Sequence, residues 1–66
     1  MRIVANGKPR ELQGDLTVDG LIRSLGLDPS YVIVERNGEP VERKRYGAVV
    51  LADGDRVELV RAVAGG

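Results

Sequence analysis

The sequence has 66 residues, no cysteine, no histidine, and ten basic side chains that balance ten acidic ones. A chain this short forms one domain with a small core. The missing residue types exclude disulfides, thiolate sites and the commonest general base at neutral pH. The balanced charge argues against a nucleic-acid binder, and the composition as a whole argues against a self-sufficient enzyme.

The first predicted element is a β-hairpin. The segment MRIVA is rich in β-forming residues, and the pair Asn6–Gly7 after it is a strong signal for a tight hairpin turn. The segment KPREL forms the second strand of this hairpin. Pro9 places that strand at a sheet edge, because proline cannot donate to a hydrogen-bond ladder.

The next predicted element is a short α-helix. Thr17 is a suitable N-cap, and Gly26 suits the left-handed position that follows a helix. Apolar residues between them recur at helical spacing, so they lie on one face of the helix: Val18, Leu21, Ile22 and Leu25.

The rest of the chain is predicted to form strands. YVIVER is a strand, Asn37–Gly38 is a second hairpin turn, and a short strand is expected at Val41. A turn at 53–55 precedes the final alternating strand, RVELVRAV. Two acids that flank a glycine are more often turn formers than ligands, so we assign no metal to Asp53 and Asp55.

This element order predicts an α+β domain in which the helix lies across one face of a mixed sheet. By parity, one set of apolar strand residues faces the helix: Ile3, Ala5, Val32, Val34, Val57 and Leu59. The opposite face carries Val4, Ile33 and Val60. These three form either an interaction patch or scattered surface apolar residues of the ordinary kind.

Several segments together resemble one known family. They are MRIVANGKPREL, the helix TV…LIRSLGL, VIVERNGEPV, LADGDRVELV and the final Gly65–Gly66. In this order they resemble the ubiquitin-like β-grasp sulfur carriers of the ThiS/MoaD superfamily, and most closely the ThiS-like carriers of thiamine biosynthesis. The resemblance implies a five-stranded mixed sheet that grasps one helix, with the first and last strands parallel and central.

The resemblance also implies the chemistry. In this family a separate E1-like, ThiF-like enzyme uses Mg-ATP to adenylate the terminal glycine, here Gly66. A sulfur donor such as a cysteine desulfurase system then converts the adenylate to a thiocarboxylate. A ThiG-like thiazole synthase receives the sulfur. The chain itself would bind no cofactor and would act as a carrier, not as an enzyme.

Residues near the end of the chain fit this chemistry. We expect one domain, 1–66, with a flexible tail of about 62–66, because termini make few contacts. The tail must pass through a narrow channel to reach the α-phosphate of ATP. Side chains at the diglycine would obstruct it, and glycine accepts unusual φ values there. Ala64 precedes the diglycine in the tail, at a place where these carriers often have a bulkier residue.

Residues just before the tail are the expected partner-binding site. Val60, with Val4 and Ile33, is the predicted docking patch. Arg61 is expected to meet an acidic groove on the activating enzyme, although an exposed cation at a strand end is nearly as good an explanation.

Other interpretations stay open. A carrier with the same tail chemistry could serve molybdopterin synthase, cysteine synthesis or tRNA thiolation, or could be a protein modifier that forms isopeptide bonds. A different class is a small S4-like RNA-binding module with 43–45 (RKR) as phosphate contacts, which predicts salt-dependent binding. A purely structural interaction domain would leave the diglycine unexplained.

The sequence has no apolar stretch long enough for a signal peptide or a membrane span. We therefore expect a cytoplasmic protein that contacts neither membrane nor nucleic acid and is a monomer when free.

Overall fold

The computed structural model describes residues 1–62, which form a five-stranded mixed sheet and one α-helix. The strands are β1 (Arg2–Ala5), β2 (Lys8–Glu11), β3 (Val32–Arg36), β4 (Glu39–Val41) and β5 (Arg56–Arg61). The helix, α1, is Val18–Ser24, and single 3₁₀ turns occupy Pro29–Tyr31 and Arg43–Arg45. No helix within residues 1–62 has the length and apolar character to cross a membrane.

The strands lie in the order β2-β1-β5-β3-β4. The central neighbours β1 and β5 run parallel, whereas the other neighbouring pairs run antiparallel. The first and last strands are therefore parallel and central, as the resemblance implied. Pro9 lies in the edge strand β2, as predicted, and Pro40 lies in the opposite edge strand β4.

Both predicted Asn-Gly turns are present. Asn6 and Gly7 have φ angles of 51° and 78°, and Asn37 and Gly38 have φ angles of 53° and 84°. A type I′ hairpin turn needs positive φ at both central residues, and asparagine and glycine adopt it at the least cost. The local sequence thus explains how β1 joins β2 and how β3 joins β4.

Helix α1 begins at its predicted cap, where Thr17 Oγ1 accepts a hydrogen bond from the Gly20 amide at 3.0 Å. The first two amides of the helix donate to the carbonyls of Val49 and Tyr46, both at 2.9 Å. Gly26, with φ 76°, follows the helix as predicted. A helix of seven residues is too short to be stable alone, so these tertiary bonds and its apolar face hold it.

The core lies between α1 and the sheet. All six strand positions predicted by parity to face the helix are buried there. Tyr46 and Leu51 also lie in the core, and the Tyr46 hydroxyl donates to the Val32 carbonyl at 2.6 Å. The segment 46–51 follows neither the helical nor the strand period, so the sequence pattern did not predict the burial of these two residues.

Candidate docking site at the end of the last strand

The predicted carrier group and its tail, Gly66, Gly65 and Ala64, lie outside the described residues. The prediction of a flexible tail over about 62–66 likewise lies outside them, except for Ala62. The described residues do include the strand that leads to these positions, β5, and both of its neighbours in the sheet. The candidate site is therefore built from the end of β5 and the residues around it.

On one side, β5 is paired with β3 as far as its last residue. Ile33 lies opposite Val60, and Val32 lies opposite Arg61. One residue further on, the Ala62 amide donates to the Tyr31 carbonyl at 2.7 Å. The main chain is thus hydrogen-bonded to a neighbour up to the last described residue.

Ile33 and Val60 form an exposed apolar pair on the sheet face that α1 leaves uncovered. Their side chains are 51% and 59% exposed, respectively, and they are direct cross-strand partners. Such partners have Cβ atoms about 5 Å apart, so the pair presents one continuous apolar surface. We call this pair the outer pair.

Val4 lies on the same sheet face but apart from the outer pair. Its partner in β5 is Arg56, which precedes Val60 by four residues, or about 13 Å along a strand. Val4 is also only partly exposed, and Pro9 of β2 lies opposite it. Parity alone placed Val4 with Ile33 and Val60, whereas the register of the parallel strands separates it from them.

Arg61 points to the other side of the sheet from the outer pair, because side chains alternate along a strand and Val57 and Leu59 of the same parity face the core. Arg61 is exposed there, beside a shallow groove of about 350 Å³. The groove is also lined by Leu27, Asp28, Tyr31 and Ala62. Val60 and Arg61 therefore present two different surfaces to a partner, one apolar and one cationic.

The turn just before β5 carries a charged network around one buried carboxylate, that of Asp55. Asp55 Oδ2 accepts hydrogen bonds from Arg36 Nε and the Ala52 amide, both at 2.8 Å, and Asp55 Oδ1 accepts one from Asn37 Nδ2 at 3.0 Å. Burial raises the pKa of the Asp55 carboxyl. The three hydrogen bonds and the Arg36 charge outweigh burial and hold that pKa below its ordinary value.

The two acids of the 53–55 turn thus have structural partners. Asp53 Oδ1 accepts the Arg2 amide at 2.7 Å, and Gly54 between them has φ 87°. Within residues 1–62 no three acidic side chains converge as metal ligands would. The turn pattern in the sequence predicted the local shape, but it carried no sign that Asp55 would be buried against Arg36 of a distant strand.

The element order, the parallel central strands and the single helix define the class of the protein as a ubiquitin-like β-grasp domain. The solved structures agree with this class. The crystal structure of the thiamine biosynthesis protein ThiS from Geobacter metallireducens superposes with a TM-score of 0.84 and 39% identity, and all of both chains is covered.

The comparisons also give the family. The model of the ThiS family matches residues 3–66. The sulfur carrier protein ThiS of Bacillus subtilis is 42% identical over 62 residues, which cover 92% of this chain and 94% of that protein. The chain belongs to the ThiS family.

Some relatives are much longer than this chain. A thiazole synthase of Magnetococcus marinus is 44% identical over 66 residues, which cover all of this chain and 20% of that protein. The chain thus spans about a fifth of the length of the thiazole synthases that it matches.

These findings confirm the predicted family and fold. The Bacillus subtilis relative is a sulfur carrier protein, which is the role that the sequence predicted for this chain. The same match decides against the S4-like RNA-binding alternative.

Proposed function

We propose that this chain carries sulfur for thiazole formation as a thiocarboxylate on Gly66. The observation that supports the proposal best is the extent of the family match, which reaches Gly66 and so includes the diglycine. Since the sequence contains no cysteine, no thiol side chain is available to hold the sulfur. Carrier chemistry on the main-chain carboxyl group of Gly66 is compatible with this composition.

The reaction proceeds in three steps on partner enzymes. The Gly66 carboxylate attacks the α-phosphate of Mg-ATP held by an E1-like activating enzyme, and pyrophosphate leaves. The persulfide of a donor such as a cysteine desulfurase system then attacks the acyl carbon and displaces AMP. A thiol reduces the resulting acyl disulfide and leaves the thiocarboxylate. Mg-ATP is thus a substrate of the activating enzyme, not a cofactor of this chain.

The outer pair is the proposed docking surface for the activating enzyme. Full burial of a side chain such as valine or isoleucine contributes about 1.5–3 kcal/mol, and Ile33 and Val60 each keep about half of their surface for a partner. Val60 is the residue before Arg61 and Ile33 is its cross-strand partner, so the docking surface adjoins the segment that leads to the tail. Val4, on the same face but distant along the strand, is a secondary contact at most.

Arg61 is the proposed electrostatic contact of the site. It lies at the end of β5 beside the groove that Asp28 and Tyr31 line, on the opposite side from the outer pair. A cation here would meet an acidic groove on the activating enzyme as the tail enters it. A contact of this kind, at an exposed position, adds about 1 kcal/mol or less.

A thiazole synthase is the proposed sulfur acceptor. Support comes from the thiazole synthases of Magnetococcus marinus and Paramagnetospirillum magneticum, in which a segment similar to this whole chain forms a fifth of the protein. A chain that includes both the carrier and its acceptor holds the two at high effective concentration. We further propose that the protein acts in the cytoplasm and that the free carrier is a monomer.

The test is the intact mass of the protein after incubation with the activating enzyme, Mg-ATP and a sulfur donor. We expect a gain equal to the exchange of one oxygen for sulfur, located in the peptide that contains Gly66. A variant lacking Gly66 and a variant with one alanine added after Gly66 are the matched controls, and neither should gain mass. Equal gains in all three proteins, or none in the full chain, would contradict the proposal.

The acceptor is tested by adding thiazole synthase, together with the other substrates of thiazole formation, to the thiocarboxylate form. We expect the mass to return to that of the starting protein as sulfur is transferred. Transfer of sulfur to a molybdopterin, cysteine or tRNA thiolation system, with none to thiazole synthase, would support the carrier chemistry but contradict the proposed pathway.

A further inference from the structure

The side chain of Asn6 is hydrogen-bonded to the end of β5 in two directions. The Leu59 amide donates to Asn6 Oδ1 at 2.7 Å, and Asn6 Nδ2 donates to the Leu59 carbonyl at 3.2 Å. The backbone amide of Asn6 also donates to the Val57 carbonyl at 2.9 Å. One residue in the first hairpin turn therefore bonds to two residues of the last strand.

These side-chain bonds extend the parallel ladder beyond the end of β1. In a parallel pair each bonded residue of one strand uses its amide and its carbonyl toward the other strand, so Leu59 would next need an acceptor and a donor from β1. The pairing of β1 with β5 ends at Ala5, because the chain turns away at Asn6–Gly7. The side-chain amide of Asn6 supplies both missing groups, and we call this arrangement the amide rung.

The amide rung lies directly beside the candidate docking site. Leu59 precedes Val60 of the outer pair and is two residues from Arg61. On the side of β1, the amide rung supports the residues of β5 that follow Val57. On the other side, β3 supports them. Without the amide rung, the last residues of β5 would be held as an edge strand is held, by one neighbour.

We propose that Asn6 is a positioning residue for the carrier reaction: its amide rung keeps the end of β5 in the geometry that the activating enzyme binds. The inference rests on the proposed function, since it assumes that this enzyme recognises the end of β5. Asn6 itself touches no substrate. Its effect passes through Leu59 to Val60 and to the course of the chain towards Gly66.

The second Asn-Gly turn provides a matched control. Asn37 has nearly the same φ as Asn6, 53° against 51°. Its side chain also bonds in two directions, since Nδ2 donates to Asp55 Oδ1 at 3.0 Å and Oδ1 accepts the Arg56 amide at 2.9 Å. It therefore holds the beginning of the same strand, far from the docking site, through the Arg56 amide and the Asp55 carboxylate.

The test compares Asn6→Gly with Asn37→Gly. Glycine is free to adopt the positive φ of both turns, so each change removes the amide without straining the backbone. The rate of pyrophosphate release by the activating enzyme with Mg-ATP is measured against carrier concentration, well below both unfolding midpoints. Amide hydrogen exchange at Leu59 is measured on the same samples.

For Asn6→Gly we expect KM for the carrier to rise about fivefold, with kcat changed less than about twofold. These values follow if the end of β5 is correctly placed about a fifth of the time when free and is restored on binding, because apparent affinity falls by the competent fraction. Leu59 exchange should accelerate more than that of core amides. Asn37→Gly should leave KM and kcat unchanged, although it lowers the unfolding midpoint at least as much.

Asn6→Asp refines the result. It keeps the acceptor for the Leu59 amide but replaces the donor with a carboxylate oxygen that repels the Leu59 carbonyl, so KM should rise above that of the wild type. An unchanged KM in folded Asn6→Gly overturns the inference, as does an equal rise in Asn37→Gly, which would indicate a general loss of stability. A wild-type carrier that releases no pyrophosphate overturns the proposed function instead.

Discussion

The two ends of β5 are held by different means. At its beginning the Asp55 carboxylate is buried and receives hydrogen bonds from Arg36, Asn37 and the Ala52 amide. At its end the side chains of the outer pair are half exposed, and an uncharged amide rung supports the backbone. The charged network serves stability, whereas the exposed end leaves apolar surface and the main chain available to partners.

This difference between the two ends of β5 depends on which side chains each end can bury. A buried carboxylate is stabilising only when all of its oxygens have partners, and the turn at 53–55 offers them because three segments meet there. The outer face at the end of β5 has no covering element within residues 1–62. The strand can therefore keep apolar groups there for an interface, as exposed patches in small domains often do.

The largest expected effect is on the beginning of β5. Asp55→Ala should lower the free energy of unfolding by about 2–3 kcal/mol, because it removes the charged acceptor of hydrogen bonds from the partly exposed Arg36 and from the Ala52 amide. That is a large part of the roughly 3–10 kcal/mol expected for a domain of this size. Denaturant unfolding measures it.

Asp53→Ala is the matched control for this change, since Asp53 is exposed in the same turn and accepts one amide hydrogen bond. It should cost about 1 kcal/mol or less. Equal losses in the two variants would show that the buried network contributes nothing beyond the turn itself. Below its unfolding midpoint, folded Asp55→Ala should still be adenylated at the wild-type rate.

The same network should make stability depend on pH. The folded pKa of Asp55 lies below its ordinary value, so the unfolded chain binds the proton more readily. The contribution of ionised Asp55 to the free energy of unfolding is complete above the unfolded pKa of about 3.9. This contribution is lost as the pH falls through the folded pKa. The gap in unfolding free energy between wild type and Asp55→Asn should narrow on acidification. A gap that is constant from neutral pH to strong acid would contradict this.

Substitutions at the end of β5 should have the opposite effect: they should reduce activity with the activating enzyme and leave the free energy of unfolding nearly unchanged. Val60→Asp should reduce kcat/KM with the activating enzyme by about tenfold or more, because 1.4 kcal/mol is a factor of ten and an unpaired buried charge costs at least that. Val50→Asp is the control, since Val50 is 53% exposed but lies outside the sheet. A similar loss in both variants would remove the outer pair from the docking site.

The smallest expected effect separates the two arginines of β5. Arg61→Ala should lower kcat/KM about two- to fivefold at low salt and less at high salt, as expected for an exposed, screened charge. Arg56→Ala, at the other end of the same strand, should leave it unchanged. Neither variant should change the unfolding free energy by more than about 0.5 kcal/mol. If Arg56→Ala has the larger effect, the cationic contact lies at the beginning of β5.

Local rules predicted much of the fold from the sequence. The Asn-Gly turns, the Thr17 cap and the edge position of Pro9 each depend on one or a few neighbouring residues, and all were confirmed. Strand parity predicted the helix-facing set correctly. Parity also predicted that Val4, Ile33 and Val60 lie on the outer face. It could not predict the distances between them, because distances across strands depend on the register of strand pairing.

The sequence by itself determined which segments turn, which form strands, where the helix begins, and, through its resemblance to a family, the diglycine chemistry expected at Gly66. Those features are carried by residues close together in the chain. Only the tertiary structure decided the rest: Tyr46 in the core, Asp55 against Arg36, Val4 apart from the outer pair, and Asn6 bonded to Leu59. Each is a contact between distant segments, so it depends on how the strands pair and not on the residues beside it in sequence.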